Sequence, residues 1–183
     1  MPNINQALKY LISFIILALG GEVLAQKDNP QINQIRARFQ IINNATDYKI
    51  LSLTSDKYAE ITGVYADGGI EAKGYIKNKK VFKIIETGFA SFTKQTIEYY
   101  FWDNQLIFIY AKTEKAAYDS VSTALDFNQL TTISETRFYV KNSKLIKRVD
   151  HGLEEYNLEP GKLVGSLVTS PDKLKKWFLK MSK

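Results

Sequence analysis

Apolar positions change their period along this chain. Ile32, Ile35, Phe39 and Ile42 recur at three and four residues behind Asp28-Asn29-Pro30, a cap followed by proline at the first helical position. That pattern predicts an amphipathic helix of about four turns ending near Asn43 or Asn44. From Glu60 onward the period is two, and Asp67-Gly68, Asn78-Lys79, Asp103-Asn104 and Asn142-Ser143 stand between apolar or aromatic arms, as two-residue hairpin loops require. Within residues 113–130, Tyr118, Val121 and Leu125 have helical spacing and predict a helical turn over a sheet edge. Ser170-Pro171-Asp172 is a second cap, and Leu174, Trp177, Phe178 and Met181 form a stripe behind it, with Lys173, Lys175, Lys176, Lys180 and Lys183 on the other sides. The expected fold is therefore α+β: a single antiparallel meander sheet of about seven strands, an N-terminal helix packed on one face, and a C-terminal helix.

Counting outward from each turn gives a register. One face carries Tyr99 with Phe108, Phe101 with Leu106 and Val140 with Leu145, and is expected to be the core. The other carries Glu98, Tyr100 and Trp102, then Tyr139 with Ile146, Arg137 beside Arg148 and Glu135 beside Asp150. Around Asp67-Gly68 the same count pairs Tyr65 with Ile70, Gly63 with Ala72 and Ile61 with Gly74. Glycine in a strand marks the close approach of another element, so the first helix is expected to cross Gly63, Ala72 and Gly74 with Phe39 buried near them.

Aligning the turns brings out a repetition: VYADGGI from Val64, YIKNKKV from Tyr75, YYFWDNQLI from Tyr99 and FYVKNSKLI from Phe138. This aromatic-turn-aliphatic unit resembles MORN-type repeats, including those of toxin-antitoxin-associated proteins, and is similar to small exported bacterial proteins with repeated Tyr-Tyr-Phe-x-Asn-Gly-x-Leu-Ile hairpins. The resemblance covers about half of residues 26–183 and implies no activity. The return-arm anchors Ile70, Val81, Leu106 and Leu145 are unevenly spaced, so duplicated hairpins within one sheet are expected instead of a solenoid.

Composition adds a compartment. Lys9, the apolar run Tyr10–Leu19 and Val23-Leu24-Ala25 read as a cleavable signal peptide over residues 1–25, with a hydrophobic region too short to span a bilayer. Residues 26–183 then form one domain, periplasmic or secreted. There is no cysteine, hence no disulfide and no lipobox. The net charge of +6 favours weak association with an anionic envelope surface, while the dispersed lysines do not form a nucleic-acid footprint.

Candidate chemistry narrows by elimination. The single histidine, His151 in Asp150-His151-Gly152, reads as a turn residue. No cysteine pair, acidic calcium loop, phosphate-binding glycine loop or nucleophile elbow is present, so no metal, cofactor or catalytic residue is assigned. The remaining candidates are Glu98, Tyr100, Trp102, Glu135, Arg137, Tyr139 and Arg148, where arginines facing each other beside aromatics suit an anionic or glycan-like ligand. Alternatively Glu98, Glu135 and Asp150 neutralise the arginines and the face is simply wet. The expected function is an exported, non-catalytic module that binds a ligand or protein partner. A hydrolase using Glu98 and Glu135, and a structural component of the cell envelope, stand as alternatives.

Overall fold

The computed structural model describes residues 29–120, 123–153 and 160–182, with side chains of the last helix from Pro171 onward. Residues 1–25, read from the sequence as a signal peptide, lie outside the described residues. The chain divides at Asn33/Gln34. Of the first unit only Asn29–Asn33 is described, and the whole of the sheet belongs to the second. Among the described residues no helix is long and apolar enough to cross a membrane.

Helix α1 (Pro30–Asn44) is followed by β1 (Lys49–Leu53), helix α2 (Ser55–Thr62), β2 (Ile70–Lys77), β3 (Lys80–Ala90), β4 (Thr93–Trp102), β5 (Gln105–Asp119), β6 (Ala124–Lys141), β7 (Lys144–Gly152) and helix α3 (Pro160–Met181). The strands make one open antiparallel sheet in the order β1 to β7, so the α+β meander is as expected. Three of the four expected hairpin turns are present. Asn78-Lys79, Asp103-Asn104 and Asn142-Ser143 all have φ between 48° and 64°, the left-handed pair that lets a two-residue loop follow the twist of its strands.

The fourth is not a hairpin. Residues 55–62 are helical, with Tyr58, Ala59 and Thr62 buried. Gly63 ends the helix at φ 76°, its N–H donating to the Ala59 carbonyl at 2.8 Å, a left-handed stop that glycine adopts freely. The partner of β2 is instead β1, with Leu51 opposite Gly74 and Leu53 opposite Ala72. The helical turn expected within residues 113–130 is likewise replaced by the long β5–β6 ribbon, Phe127 of which packs edge-on against Phe89. Helix α3 runs through Pro171, which is buried inside it and does not open it; the helix forgoes one backbone bond there.

Each of the three hairpins carries a β-bulge at the same place. Val81 pairs with Ile76 but Lys83 with Tyr75; Leu106 with Phe101 but Phe108 with Tyr100; Leu145 with Val140 but Lys147 with Tyr139. Phe82, Ile107 and Ile146 are the extra residues, and each shifts the rest of its strand by one position. The counted register is corrected accordingly. Tyr99 faces Ile109 instead of Phe108, Tyr139 faces Lys147 instead of Ile146, Arg137 faces Val149 instead of Arg148, and Glu135 faces His151 instead of Asp150.

The sheet is covered on both faces. Helices α2 and α3 close one face over Ala72, Ile76, Val81, Ile84, Tyr99, Phe101, Ile109 and Phe138, with Leu174 and Phe178 fully buried there. Gly74 makes that docking possible, since a Cβ on it would fall 2.6 Å from Cγ of Phe178. The small-residue face is thus filled by α3, and α1 lies on the opposite face, where Phe39 meets the rings of Tyr100 and Phe108. The expectation that Phe39 fills the space beside Gly63, Ala72 and Gly74 is overturned.

Candidate functional site

The bulges bring one residue from each of six strands into register on the α1 face: Tyr75, Lys83, Tyr100, Phe108, Tyr139 and Lys147. Tyr75, Tyr100 and Tyr139 each stand three residues before their turn residues Asn78, Asp103 and Asn142, so the same hairpin geometry places each phenol on the same row. A second row, two residues further from the turn in β4, reads Glu98, Tyr110 and Arg137.

Over these rows, Ile35, Arg36, Phe39, Gln40 and Asn43 of α1 form the other wall of a cleft of about 560 Å³. Its floor is aromatic. Phe39 lies 4.8 Å from Tyr100 and 5.3 Å from Phe108, and Phe108 lies 5.1 Å from Tyr139, centroid to centroid. Such tilted and edge-on pairs stabilise a rigid apolar surface.

Polar chains bound the cleft at both ends. At the first, Lys83 donates to Oδ1 of Asn43 at 3.0 Å, Nδ2 of Asn43 donates to the Tyr100 hydroxyl at 3.3 Å, and Tyr100 donates to Glu98. The Lys83 ammonium also lies 4.6 Å from the Tyr75 ring centre and 5.7 Å from that of Tyr100, close enough for attraction to both ring faces. At the second end, Tyr110 donates to Glu135, which also accepts from Arg137 at 3.0 Å. The Arg36 guanidinium is 6.0 Å from the Tyr139 ring centre.

Glu98, Tyr100, Arg137 and Tyr139 of the sequence candidates therefore line the cleft. Glu135 anchors Arg137 and Tyr110 beside it. Trp102 is on the same face but outside the lining, against Arg38 at 5.2 Å. Arg148 is displaced to the opposite face by the extra residue Ile146. It pairs there with Asp150 at 2.7 Å and lies 5.6 Å from the Phe138 ring centre. Asp150 also accepts from Thr136. Lys83, Phe108, Tyr110 and the α1 residues were missed. Lys83 and Phe108 could have been found by aligning return arms, since each stands five residues after the first turn residue of its hairpin.

The phenols report on their surroundings. Burial, then hydrogen bonding to Glu98, pushes the Tyr100 phenol well above the usual tyrosine value. Burial and Glu135 do the same for Tyr110. On the other face, burial and the adjacent Glu86, which accepts from the Tyr99 hydroxyl at 3.1 Å, raise Tyr99. A value raised by folding means stability that is present below the unfolded phenol value of about 10 and lost as pH rises above it. Alkaline titration followed by phenolate absorbance should show a group of tyrosines ionising only together with unfolding. All eleven tyrosines titrating in the folded protein would contradict these environments.

Among the described residues no three acidic or histidine side chains converge as a metal site would require. Both candidate carboxylates, Glu98 and Glu135, are engaged by phenols, and the arrangement is suited to holding a molecule. No protein-family model matches the chain, and no curated protein or solved structure matches it.

Proposed function

We propose that this chain is an exported, non-catalytic binding module whose ligand, a small amphipathic anion, lies in the cleft between α1 and the sheet. One observation carries the reading: a cleft of about 560 Å³ walled by rings and lined, among the described residues, by three cations, Arg36, Lys83 and Arg137, against one acid, Glu98. That volume falls within the several hundred Å³ usual for small-ligand sites, which pair apolar walls with a few polar groups. The excess of cations favours an anion over a neutral glycan, and the engaged carboxylates favour binding over hydrolysis. The three like hairpins read as duplicated units that together supply the row of tyrosines.

The probe is 8-anilinonaphthalene-1-sulfonate, an aromatic anion. Fluorescence titration should show saturable binding to one site. Arg137→Ala should weaken that binding by about 1–3 kcal/mol, the worth of a charge-assisted contact, with the melting temperature nearly unchanged. Absence of saturable binding would sink the reading. A large fall in melting temperature would show that the Arg137–Glu135 pair is structural.

Export is read from residues 1–25 alone. Intact-mass measurement of the protein recovered outside the cytoplasm should give a chain beginning at Gln26; a product retaining Tyr10–Leu19 would overturn it.

A further inference from the structure

Lys83 differs from the other cations of the cleft. Arg137 is ion-paired with Glu135, and Arg36 has its own partners. Lys83 is half-buried, and among the described residues no carboxylate lies within ion-pair distance of it. Glu98, which accepts from the Tyr100 phenol, keeps its charge and attracts Lys83 from beyond ion-pair distance. An ammonium has three donors, and among the described residues one of them is used, toward Asn43. The two tyrosine rings beside it compensate its charge only in part. Burial accordingly holds its pKa below the ordinary lysine value. An ammonium kept partly out of water with no acid in direct contact gains from an anion brought to it.

The sheet sets the rest of the ligand. Lys83, Tyr100, Phe108 and Tyr139 follow one another across four adjacent strands. At ~4.8 Å per strand the row spans roughly 14 Å. Beyond the ammonium the row consists of rings, and these are buried, so the aromatic surface offered to the cleft is the half-buried Phe39 that packs on Tyr100 and Phe108.

Building on the cleft as the binding site, we propose that its ligand is a carboxylate, or a like oxyanion, on a flat apolar body. The oxyanion binds Lys83, and the body rests against the half-buried ring of Phe39 that covers Tyr100 and Phe108. Lys83 is then the residue that makes the site prefer an acid to its uncharged counterpart.

The test compares 2-naphthoate with 2-naphthalenemethanol, which share the ring system and differ in charge, by calorimetric titration of the full chain. The wild type should bind the acid at least tenfold more tightly than the alcohol. Lys83→Met should bring the two affinities within about threefold of each other, chiefly by weakening the acid. Lys83→Arg, which keeps the charge and serves if the methionine variant is unstable, should retain the preference. Arg148→Gln, on the opposite face of the sheet, should also retain it. If both probes bind but the preference survives in Lys83→Met, the assignment to Lys83 is wrong while the cleft stands. If neither binds the wild type, the cleft reading falls as well.

Discussion

Replacing Phe178 by alanine is expected to lower the unfolding free energy by about 3–5 kcal/mol, the usual cost of deleting a core aromatic. In a chain of this size that corresponds to a fall in Tm of roughly 10 °C. The ring is fully buried, is in edge contact with Trp177 at 5.3 Å, and belongs to the cluster that joins α3 to β2, β3 and β4. Nothing smaller can fill its place, because the strand residue beneath it is Gly74, which has no side chain to expand into the cavity. Urea or guanidinium unfolding measures the loss. A change under about 1 kcal/mol would mean that α3 does not dock on this face.

The converse substitution, Gly74→Ala, is expected to cost about 1–3 kcal/mol by overpacking. A Cβ there would meet three ring atoms of Phe178 at 2.6 to 2.8 Å. These are the stem and flanks of the ring, so a rotamer adjustment cannot clear them. The two effects are coupled. With Phe178 already alanine, the added methyl enters the space the ring has left, and Gly74→Ala should become nearly neutral or stabilising. A double-mutant cycle therefore gives a large interaction energy if the two residues touch and none if they do not. Additivity would remove Gly74 as the docking site.

These two residues also show what was legible in the chain. Gly74 within a strand pattern signals close approach correctly, but two helices are available and periodicity alone does not say which one arrives. The choice depends on which face of β2 Gly74 occupies. The count from Asp67-Gly68 puts Ala72 and Gly74 on one face, away from Tyr100, and that holds; it names the wrong partner strand because residues 55–62, with their buried Tyr58, Ala59 and Thr62, are a helix and not a strand arm.

The turns were legible because Asn and Asp tolerate left-handed backbone. The bulges were not, because an extra residue shows only as a break in alternation. In Leu106-Ile107-Phe108-Ile109 every position is apolar, so no break is visible. In Leu145-Ile146-Lys147-Arg148 the one-residue slip exchanges Arg148 for Lys147 without disturbing the overall polarity. Glu98, Tyr100, Arg137 and Tyr139 could be grouped because they lie on strands β4 and β6, before the turns and unaffected by the shift. Arg148, on the return arm, could not. Asn43 and Arg36 come from α1 and required knowing which face that helix covers.

The sheet order β1 to β7 has a consequence for how the molecule is made. Every strand pairs with its neighbour in sequence, so the hairpins can close early with little loop entropy, one after another as the chain emerges. The face bearing Ile84, Tyr99 and Phe101 is different: Leu174 and Phe178, which complete its cover, belong to α3, which follows the last strand in sequence. A chain still being synthesised would carry a formed but half-naked sheet, with the apolar surface and strand edges that make folding intermediates stick to one another. Final locking then waits for α3, and removing Leu174 and Phe178 would be far more damaging than the loss of two side chains suggests.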